Sequence, residues 1–275
     1  MNKARAEMKV VSWNVRRARE GSAVWEYLLE VDPDIALLQE VGYFPKTMRH
    51  RLNLLERSAV KKTGAPQNFN TAIITKFPIV CEIDLRSDRQ WVGEQAEFFK
   101  GNLVGAKLIG PDQKPIYVVS VYTPAWPVPK EKWSDVDVSQ LKLAANPDIW
   151  CTEILWDLIR CTMPILAGQW IVGGDFNSSE TFDFRAEGDR GNREIMSRMN
   201  GLGLTEVLRT RHGGLVPTFR NPREGKIVHQ IDHLYVTAPL SDQLVSCEVG
   251  SQVRVFGQSM SDHLPIIADF RDTGE

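Results

Sequence analysis

The sequence has few cysteines, and those it has are not spaced for a metal site. Only four occur in 275 residues, at positions 81, 151, 161 and 247, and no two of them form a CxxC pair. Zinc sites and disulfide frameworks need cysteines at characteristic spacings, so the sequence predicts neither. We expect the four to be buried, reduced thiols, as is typical of a cytoplasmic protein.

Long apolar stretches are absent as well. No apolar run approaches the roughly 20 residues that a helix needs to cross a bilayer. The opening stretch "MNKARAEMKVVSWNV" lacks the apolar centre of a signal peptide. The sequence therefore predicts neither membrane insertion nor secretion.

An excess of positive charge is also lacking. Lysine and arginine number 33 against 35 acidic residues, which gives a net charge of −2. Proteins that coat nucleic acid are usually strongly basic, so a simple coating role is excluded. A polyanionic substrate would have to be held by a local cationic patch or through a metal ion.

Short apolar segments alternate with amphipathic ones along the whole chain. Strands are expected at 8–15, 35–41, two within 71–85 broken at Phe77-Pro78, a hairpin over 101–124, and at 171–175, 214–219, 230–237 and 264–270. Helices are expected at 22–34, 45–55, 151–163 and 191–201. This mixture predicts an α/β fold with packed sheets inside and helices outside, in a single domain over 1–275.

One segment does not follow this alternation. Residues 124–150 are rich in proline and tryptophan, with acidic residues between them. We expect a long loop or a small excursion from the domain there.

Polar residues suited to phosphate or metal chemistry stand where several strands end. They are Asn14, Glu40, Tyr122, Asp175 with Asn177, Asp232, and Asp262 with His263. Each alone has an ordinary structural explanation as a turn, a cap or a solvated strand end. Their joint occurrence on separate strands favours a shared site, because ligands of α/β sheets bind where loops converge at strand ends.

The motifs that contain these residues resemble a known family. In chain order they are "SWNV", "PDIALLQEV", "SVYTP", "GGDFNSS", "QIDHLYVT" and "SDHLPIIADF". They are similar to the signature motifs of the endonuclease/exonuclease/phosphatase superfamily, and the match spans about residues 8 to 270. The resemblance implies a four-layer α/β sandwich, with two packed mixed β-sheets flanked by helices, and a metal-dependent phosphoesterase activity.

The resemblance also implies roles for individual residues. Glu40 would be the main ligand of Mg²⁺ or Mn²⁺, with Asp262 close by, and Asn14 would hold a phosphate oxygen or a metal-bound water. Asp175 would orient or deprotonate the attacking water, and Asn177 would fix that water or bind phosphate. Residues two apart in an extended chain point to the same side, so this pair can address one substrate atom.

A histidine and its carboxylate partner complete the implied site. His263 would donate to a phosphate oxygen while Asp232 orients its ring. The neighbouring His233 should face the other way along the strand and be structural. Gly173 and Gly174 are expected to leave room for the substrate.

Two positions bear on the branch of the superfamily. No histidine occurs between His50 and His212, and Tyr122 stands where other branches carry a second catalytic histidine. This resembles the exonuclease III and apurinic/apyrimidinic endonuclease branch, in which a tyrosine contacts phosphate; a tyrosine packed at a strand end is the alternative. Arg16 stands where that branch often has an acidic residue, so a second metal ligand is not expected at this position. Arg16 either contacts phosphate or belongs to a solvated charge run.

A cluster of cations follows later in the chain, and its member Arg220 and the nearby Thr218 are candidate substrate-binding residues. Arg209, Arg211, Arg220, Arg223 and Lys226 lie near Thr218 in the sequence. The cluster, with Thr218 and Arg220, could follow a nucleic-acid backbone or could be an exposed surface without a partner.

Three functions remain open from the sequence. The first is a monomeric, Mg²⁺-dependent nuclease acting on DNA rather than RNA. The second is a phosphatase or phosphodiesterase for a small or lipid substrate, which the near-neutral charge and the 124–150 excursion favour. The third is a binding protein that has kept the fold without catalysis.

Overall fold

The computed structural model describes residues 7–184 and 188–271 as fourteen strands and eight α-helices. The strands are β1 (Glu7–Ala18), β2 (Ile35–Val41), β3 (Asn53–Val60), β4 (Pro66–Thr75), β5 (Ile79–Glu82), β6 (Leu103–Ile109), β7 (Pro115–Tyr122), β8 (Gln169–Asp175), β9 (Leu204–Glu206), β10 (Phe219–Arg220), β11 (Ile227–His229), β12 (Asp232–Thr237), β13 (Leu244–Val249) and β14 (Ile266–Arg271). The helices are α1 (Ala23–Val31), α2 (Lys46–Arg51), α3 (Gln90–Phe98), α4 (Cys151–Thr162), α5 (Asn192–Gly201), α6 (Val207–His212), α7 (Ala238–Ser241) and α8 (Gln252–Val255). No helix within these ranges is long and apolar enough to cross a membrane.

Two six-stranded mixed sheets pack face to face. The first has the order β13-β14-β1-β2-β4-β3, and the second has the order β5-β6-β7-β8-β12-β9. Parallel pairing of β1 with β2 and of β7 with β8 stands beside antiparallel pairing elsewhere in the same sheets. The predicted sandwich of two mixed sheets flanked by helices is confirmed.

The alternation of side chains along each strand explains the four layers. In β7, Val118 faces the core between the sheets, whereas Val119 faces the outer core formed with α3, α4 and α5. In β1, Val10 faces the same central core and Val11 faces α1 and α8. Because both faces of these strands are covered, their sequences are nearly continuous apolar runs.

Most predicted elements are present, and two differ. The helix expected at 45–55 is only α2, since Leu54 and Leu55 continue into β3 with their side chains in cores on opposite sides of the first sheet. The strand expected at 214–219 is absent except for Phe219, the first residue of the two-residue β10. The 124–150 excursion contains one short 3₁₀ turn, Lys130–Lys132, and otherwise runs as loop.

Candidate active site

The central strands of both sheets end at one rim of the sandwich. Tyr122, at the end of β7, is paired in register with Asp175, at the end of β8, and Asp175 is paired with Asp232, which begins the antiparallel β12. In the other sheet Asn14 of β1 is paired with Gln39 of β2. Parallel neighbours end at the same edge and an antiparallel neighbour begins there, so these polar residues meet.

A cleft of about 540 Å³ opens at this rim. Its lining includes seven of the predicted site residues, Arg16, Glu40, Tyr122, Asp175, Asn177, Asp262 and His263. Asn14 and Asp232 lie directly beneath them, since Asn14 Nδ2 donates to Asp175 Oδ2 over 2.9 Å and His263 Nδ1 donates to Asp232 Oδ2 over 2.9 Å. The structure thus brings these residues together from distant parts of the chain.

Asp175 is a buried carboxylate with defined hydrogen bonds. Besides the bond from Asn14, its Oδ1 accepts from the backbone N–H of Asn177 over 2.9 Å. Burial raises the pKa of Asp175 to about 7; His263 opposes the rise and Asp232 adds to it. A carboxyl group with this pKa can accept a proton near neutral pH and release it again.

His263 is held as a charged ring between two carboxylates. Its Nδ1 contacts Asp232, and its Nε2 lies 3.9 Å from Asp175 Oδ2. Burial alone would lower the pKa of His263, but the charges of Asp232 and Asp175 outweigh it and raise the pKa to about 10. The imidazolium therefore presents an Nε2–H donor on the Asp175 side of the ring.

The backbone around His263 is bonded to the middle of β1, at Trp13 and Asn14. Ser261 Oγ donates to the carbonyl oxygen of Asn14 over 2.7 Å and accepts from the N–H of His263 over 3.1 Å. Trp13 Nε1 donates to the carbonyl oxygen of His263 over 2.8 Å. These buried bonds fix the loop that carries Asp262 and His263.

Glu40 reaches the cleft through an interruption of the strand alternation. Leu37 of β2 faces the central core and Leu38 faces the outer one, so a regular strand would turn Glu40 outwards. The pairing register shifts between Leu38 and Val41, and Glu40 has a left-handed backbone with φ 52°. Burial raises the pKa of Glu40, and the nearby Asp262 raises it further. His263, Asn14 and Arg17 act in the opposite direction and lower it.

Left-handed backbone is concentrated at this cleft. Of the non-glycine residues with positive φ in the described ranges, four line it: Arg16 (45°), Arg17 (59°), Glu40 (52°) and Asn177 (45°). Such conformations are uncommon for residues with a side chain and persist where neighbouring contacts hold them. Asn14 Oδ1 accepts from the N–H of Arg16 over 3.0 Å, and Asn177 Nδ2 donates to the carbonyl oxygen of Thr123 over 2.7 Å.

The acidic groups at the cleft suit a hard divalent cation. Glu40 and Asp262 both line it, each with an arginine at a distance longer than a direct hydrogen bond: Arg17 Nε is 3.7 Å from Glu40 Oε2, and Arg16 Nε is 3.7 Å from Asp262 Oδ2. Carboxylate and amide oxygens are the donors that Mg²⁺ and Mn²⁺ prefer. The donor set of Glu40, Asp262 and Asn14 therefore fits such an ion.

Asp175, Asp232 and His263 form a second group of possible ligands. Their ligand atoms lie within 4.8 Å of one another. They already bind each other or Asn14, so this group is better explained as a hydrogen-bonded network than as an ion site.

Tyr122 lines the cleft with its ring packed edge-on against Phe69 at 5.2 Å. Burial, together with the charges of Glu40 and Asp175, raises the pKa of Tyr122 well above its ordinary value. The phenol is therefore neutral at every physiological pH and can donate a hydrogen bond.

Two residues predicted to bind substrate are placed differently. Thr218 is fully buried, and its hydroxyl donates to Asp232 Oδ2 over 2.6 Å, so it supports the histidine's partner and does not reach the cleft. Arg220 lies with its guanidinium 4.7 Å from the ring centre of Phe256, and its Nη1 donates to the Phe256 carbonyl over 3.4 Å. Thr218 therefore offers no surface to a substrate, whereas the role of Arg220 in substrate binding stays a prediction.

The expectation that Gly173 and Gly174 clear space for substrate is also wrong. A Cβ on Gly173 would lie 2.8 Å from Leu234 Cδ1, and one on Gly174 would lie 1.9 Å from the carbonyl oxygen of Val121. The glycines allow close packing of protein against β8. His233 does face away from the cleft, as expected, with Nε2 3.0 Å from the Ser178 carbonyl oxygen.

Sequence reasoning did not single out Arg17, and it noted Ser261 only as part of the "SDH" motif, without a role of its own. Arg17 lies in the "RRARE" run beside Arg16, and Ser261 opens the "SDH" motif, but only the fold shows that one lines the cleft and the other joins two loops. The cleft walls Phe182, Phe219 and Ile231 had no distinctive sequence pattern.

Comparisons with known proteins agree with this architecture. A model of the endonuclease/exonuclease/phosphatase family matches residues 11–263. The 3′ phosphatase NExo from Neisseria, solved with a product DNA hairpin, is 20% identical over 96% of this chain and 100% of its own, with a TM-score of 0.68. An AP endonuclease from Archaeoglobus fulgidus is 21% identical over 96% of this chain and 99% of its own (TM-score 0.68), and the AP endonuclease LMAP from Leishmania major is 16% identical over 99% and 90% (TM-score 0.65). No curated protein matches the sequence.

Proposed function

Because this chain belongs to the endonuclease/exonuclease/phosphatase family, we propose that it is a divalent-metal-dependent nuclease that hydrolyses phosphodiester bonds of DNA. The observation that carries the proposal is the pair formed by Asp175 and His263 at the floor of the cleft. One group can accept a proton near neutral pH, and the other holds a positive charge 3.9 Å away. Hydrolysis of a phosphate diester needs both a base and a stabilised anionic transition state.

Asp175 acts as the base for the attacking water. Its Oδ2 faces Asn14 and His263, and its Oδ1 is held by the backbone of Asn177. The proton of the water passes to the carboxylate as the water oxygen bonds to phosphorus, the P–O bond to the leaving ester oxygen breaks, and that oxygen takes up a proton from solvent. Asn177, held through its own amide by Thr123, positions the water or a phosphate oxygen.

His263 stabilises the charge that develops on the phosphate. As an imidazolium it donates from Nε2 to a non-bridging oxygen while Asp232 holds its Nδ1. Tyr122, which also lines the cleft, supplies a second donor, and this one is neutral. Donors fixed before the reaction need no reorganisation during it, which is the source of their effect on rate.

Glu40, Asp262 and Asn14 would hold the Mg²⁺ or Mn²⁺ ion. Such an ion supplies positive charge to the phosphoryl oxygens. Arg16 and Arg17 lie at the mouth of the cleft with about half of each side chain exposed, 48% and 55%, and bind the phosphates that flank the reacting one.

Two further observations favour DNA. The cleft is open to solvent and has two exposed arginines at its mouth, which suits a polyanion. Several proteins of similar fold are AP endonucleases or act on DNA ends, by their names. We propose that the protein works as a monomer, as inferred from the sequence.

A substrate panel tests the proposal. Abasic duplex, single-stranded DNA, RNA and small phosphodiesters are each assayed with Mg²⁺, with Mn²⁺ and with chelator. We expect cleavage of at least one DNA substrate that chelator abolishes and added metal restores. Turnover of small phosphoesters without any DNA cleavage would select the phosphatase alternative, and no turnover of any substrate would favour a non-catalytic protein.

A further inference from the structure

The backbone that aims Glu40 into the cleft is a β-bulge in β2. The pairing of β2 with β4 shifts between Leu38 and Val41, so that Gln39 and Glu40 together lie opposite the single residue Thr71. Glu40 has a left-handed φ of 52°. A residue with a side chain keeps such a conformation only where neighbouring contacts hold it. The bulge therefore needs contacts that fix it.

Hydrogen bonds from Gln39 and Ser120, which we call the inter-sheet tie, join the two sheets at this bulge. Gln39 Nε2 donates to the carbonyl oxygen of Leu37 over 3.1 Å and to Ser120 Oγ, on β7, over 3.0 Å. Ser120 Oγ in turn donates to the carbonyl oxygen of Leu38 over 3.3 Å. Both side chains are fully buried. The tie thus holds the backbone just before the bulge against the second sheet.

Small residues on the second sheet make this tie possible. Sheets that pack face to face lie about 10 Å apart, a distance that a serine hydroxyl does not span. Here Cα atoms of β2 and β7 come within 8 Å of one another. Ser120 is paired in register with Gly173 of β8, and a Cβ on that glycine would lie 3.1 Å from Leu37 Cδ1. The glycine leaves space for Leu37, which allows the serine to reach the backbone of β2.

Gln39 is an unusual residue for its place in the core. The other inward-facing residues of β2, Ile35 and Leu37, are apolar. Gln39 follows them on the same face, and its Oε1 has no hydrogen-bond partner within the described residues. A buried acceptor without a partner disfavours folding, and the two bonds from Nε2 offset that cost. Fold stability alone therefore does not explain an amide at this position.

We propose that Gln39 and Ser120 are positioning residues for the metal site, because the inter-sheet tie holds the bulge that presents the Glu40 carboxylate to the divalent cation. The proposal rests on the function proposed above, in which Glu40 is the main metal ligand. Neither Gln39 nor Ser120 lines the cleft, so both act through the backbone of β2. Groups that orient a metal ligand from behind change metal affinity by about 10- to 100-fold when they are removed.

Loss of the inter-sheet tie should change how many molecules offer Glu40 to an ion. Leu37 and Leu38 face opposite sides of the sheet, so a regular β2 would turn Glu40 outwards. When a site is formed in only a fraction of molecules, its apparent affinity falls by that fraction. We therefore expect weaker metal binding, with kcat unchanged once metal saturates the site.

Metal binding by the free protein tests the proposal. Mn²⁺ is titrated into the full chain without nucleic acid, and the electron paramagnetic resonance signal of free Mn²⁺ gives the dissociation constant. Gln39→Met, which keeps the length of the side chain, and Ser120→Ala should each raise this constant about tenfold. The double variant should bind little worse than either single variant, because both changes break the same tie.

Two control variants match the burial of these residues but not their position. In the part of the chain that the structure describes, neither Gln95 Oε1 on α3 nor Ser12 Oγ on β1 has a hydrogen-bond partner, and both are buried. Gln95→Met and Ser12→Ala should therefore bind Mn²⁺ like the parent. Chemical denaturation should show that Gln39→Met is as stable as the parent. If Gln39→Met does not fold, Ser120→Ala carries the test.

The metal dependence of cleavage gives a second measurement. The Mg²⁺ concentration for half-maximal cleavage should rise about tenfold in Gln39→Met and in Ser120→Ala, whereas kcat at saturating Mg²⁺ should stay close to that of the parent. General damage to the fold would instead lower kcat at every Mg²⁺ concentration, and that result would contradict a positioning role.

Glu40→Gln separates this inference from the function on which it rests. If Glu40→Gln weakens Mn²⁺ binding but Gln39→Met and Ser120→Ala bind like the parent, the inter-sheet tie does not position the ligand, and the nuclease proposal stands. If Glu40→Gln leaves Mn²⁺ binding unchanged, or the parent binds no Mn²⁺, the proposed metal site fails and this inference is overturned with it.

Discussion

Burial and charge act in opposite directions on Asp175 and His263. Removal from water disfavours the charged form of both groups, yet each stabilises the charge of the other across 3.9 Å. The result is a carboxyl with a pKa of about 7 and an imidazole with a pKa of about 10. Between those values the carboxylate and the imidazolium coexist, which is the state that the proposed mechanism requires.

The first prediction concerns the base itself. Asp175→Asn keeps the shape of the side chain but cannot accept the proton of water, so kcat should fall about 10³-fold or more. Cleavage of a labelled oligonucleotide measures the loss, and thermal unfolding should show an intact fold, because a buried charge has been replaced by an amide. Asp135→Asn, at an exposed position, is the control. Cleavage at the parental rate would exclude the mechanism.

The second prediction concerns Thr218, which acts through Asp232. Its hydroxyl donates to the carboxylate that holds His263, so Thr218→Val should lower kcat about tenfold with KM nearly unchanged. Thr218→Ser keeps the hydroxyl and should restore kcat. Thr71→Val is the matched control, since that buried hydroxyl has no partner within the described residues. Equal activity of the Val and Ser variants at 218 would contradict the role.

At the scale of the elements, the site depends on which strands keep the regular alternation of side chains and which one interrupts it. Asp175 follows the alternation of β8 and Asp232 that of β12, so both face the space between the sheets. Glu40 does not follow the side-chain alternation of β2, and it reaches the same cleft through its left-handed backbone conformation. Strand geometry therefore positions Asp175, the proposed base, and a local departure from it positions Glu40, the main candidate metal ligand.

Close packing between β7 and β8 gives the third prediction. A Cβ at position 174 would lie 1.9 Å from the Val121 carbonyl oxygen, and Gly174 has φ +153°. Gly174→Ala should therefore destabilise the fold by at least about 2 kcal/mol in chemical denaturation. Gly93→Ala in α3 meets open space and should be neutral or stabilising by up to about 1 kcal/mol. Equal stability of the two variants would refute the packing argument.

The fourth prediction concerns the first turn of α4. Burial raises the pKa of Glu153 to about 8 in the folded protein, above its ordinary value of 4.5. Between those two values the folded state holds a proton that the unfolded state has released, so the free energy of unfolding should fall as pH rises through this range. Glu153→Gln should flatten this dependence and be more stable than the parent at pH 8.

Denaturant titrations at several pH values measure the effect. Glu26→Gln, at an exposed position of α1, should retain the parental pH dependence. An unchanged pH dependence in Glu153→Gln would show that this carboxyl does not hold its proton in the folded state.

For the whole molecule, the net charge does not show how the charged side chains are distributed, because the two sheets gather several of them at one cleft. The net charge is only −2, yet two exposed arginines and the His263 imidazolium face one cleft. Glu40, Asp175 and Asp262 line the same cleft, so a net attraction for a polyanion would need the proposed divalent cation, and few phosphates would be neutralised at a time.

The salt dependence of binding gives the fifth prediction. Each phosphate contact that is lost should reduce the magnitude of the slope of log Kd against log salt by roughly 0.7 to 0.9. Arg16→Ala and Arg17→Ala should each show this reduction in the Asp175→Asn background. Arg220→Ala should leave the slope unchanged, because its guanidinium packs over Phe256. A reduced slope in Arg220→Ala would return that residue to the substrate-binding surface.

The sequence by itself predicted the fold class, the order of the motifs and most of the central strands, whereas β3, β9, β11 and β13 were not expected. Strands that are buried on both faces are visible in the sequence as continuous apolar runs. The motifs around Asn14, Glu40, Asp175 and His263 lie next to these runs. The "GDFN" and "SDH" segments were therefore recognisable before any contact was known. Local pattern was sufficient because strand alternation and strand ends are properties of neighbouring residues.

Only the tertiary structure decided which side each polar group faces and what it already binds. Thr218 and Arg220 were expected at the substrate, but the Thr218 hydroxyl donates to Asp232 and the Arg220 guanidinium packs over the ring of Phe256. The inter-sheet tie of Gln39 and Ser120 was not foreseen, because it joins strands of two different sheets. Burial and partners depend on residues far apart in the chain, and no local pattern records those contacts.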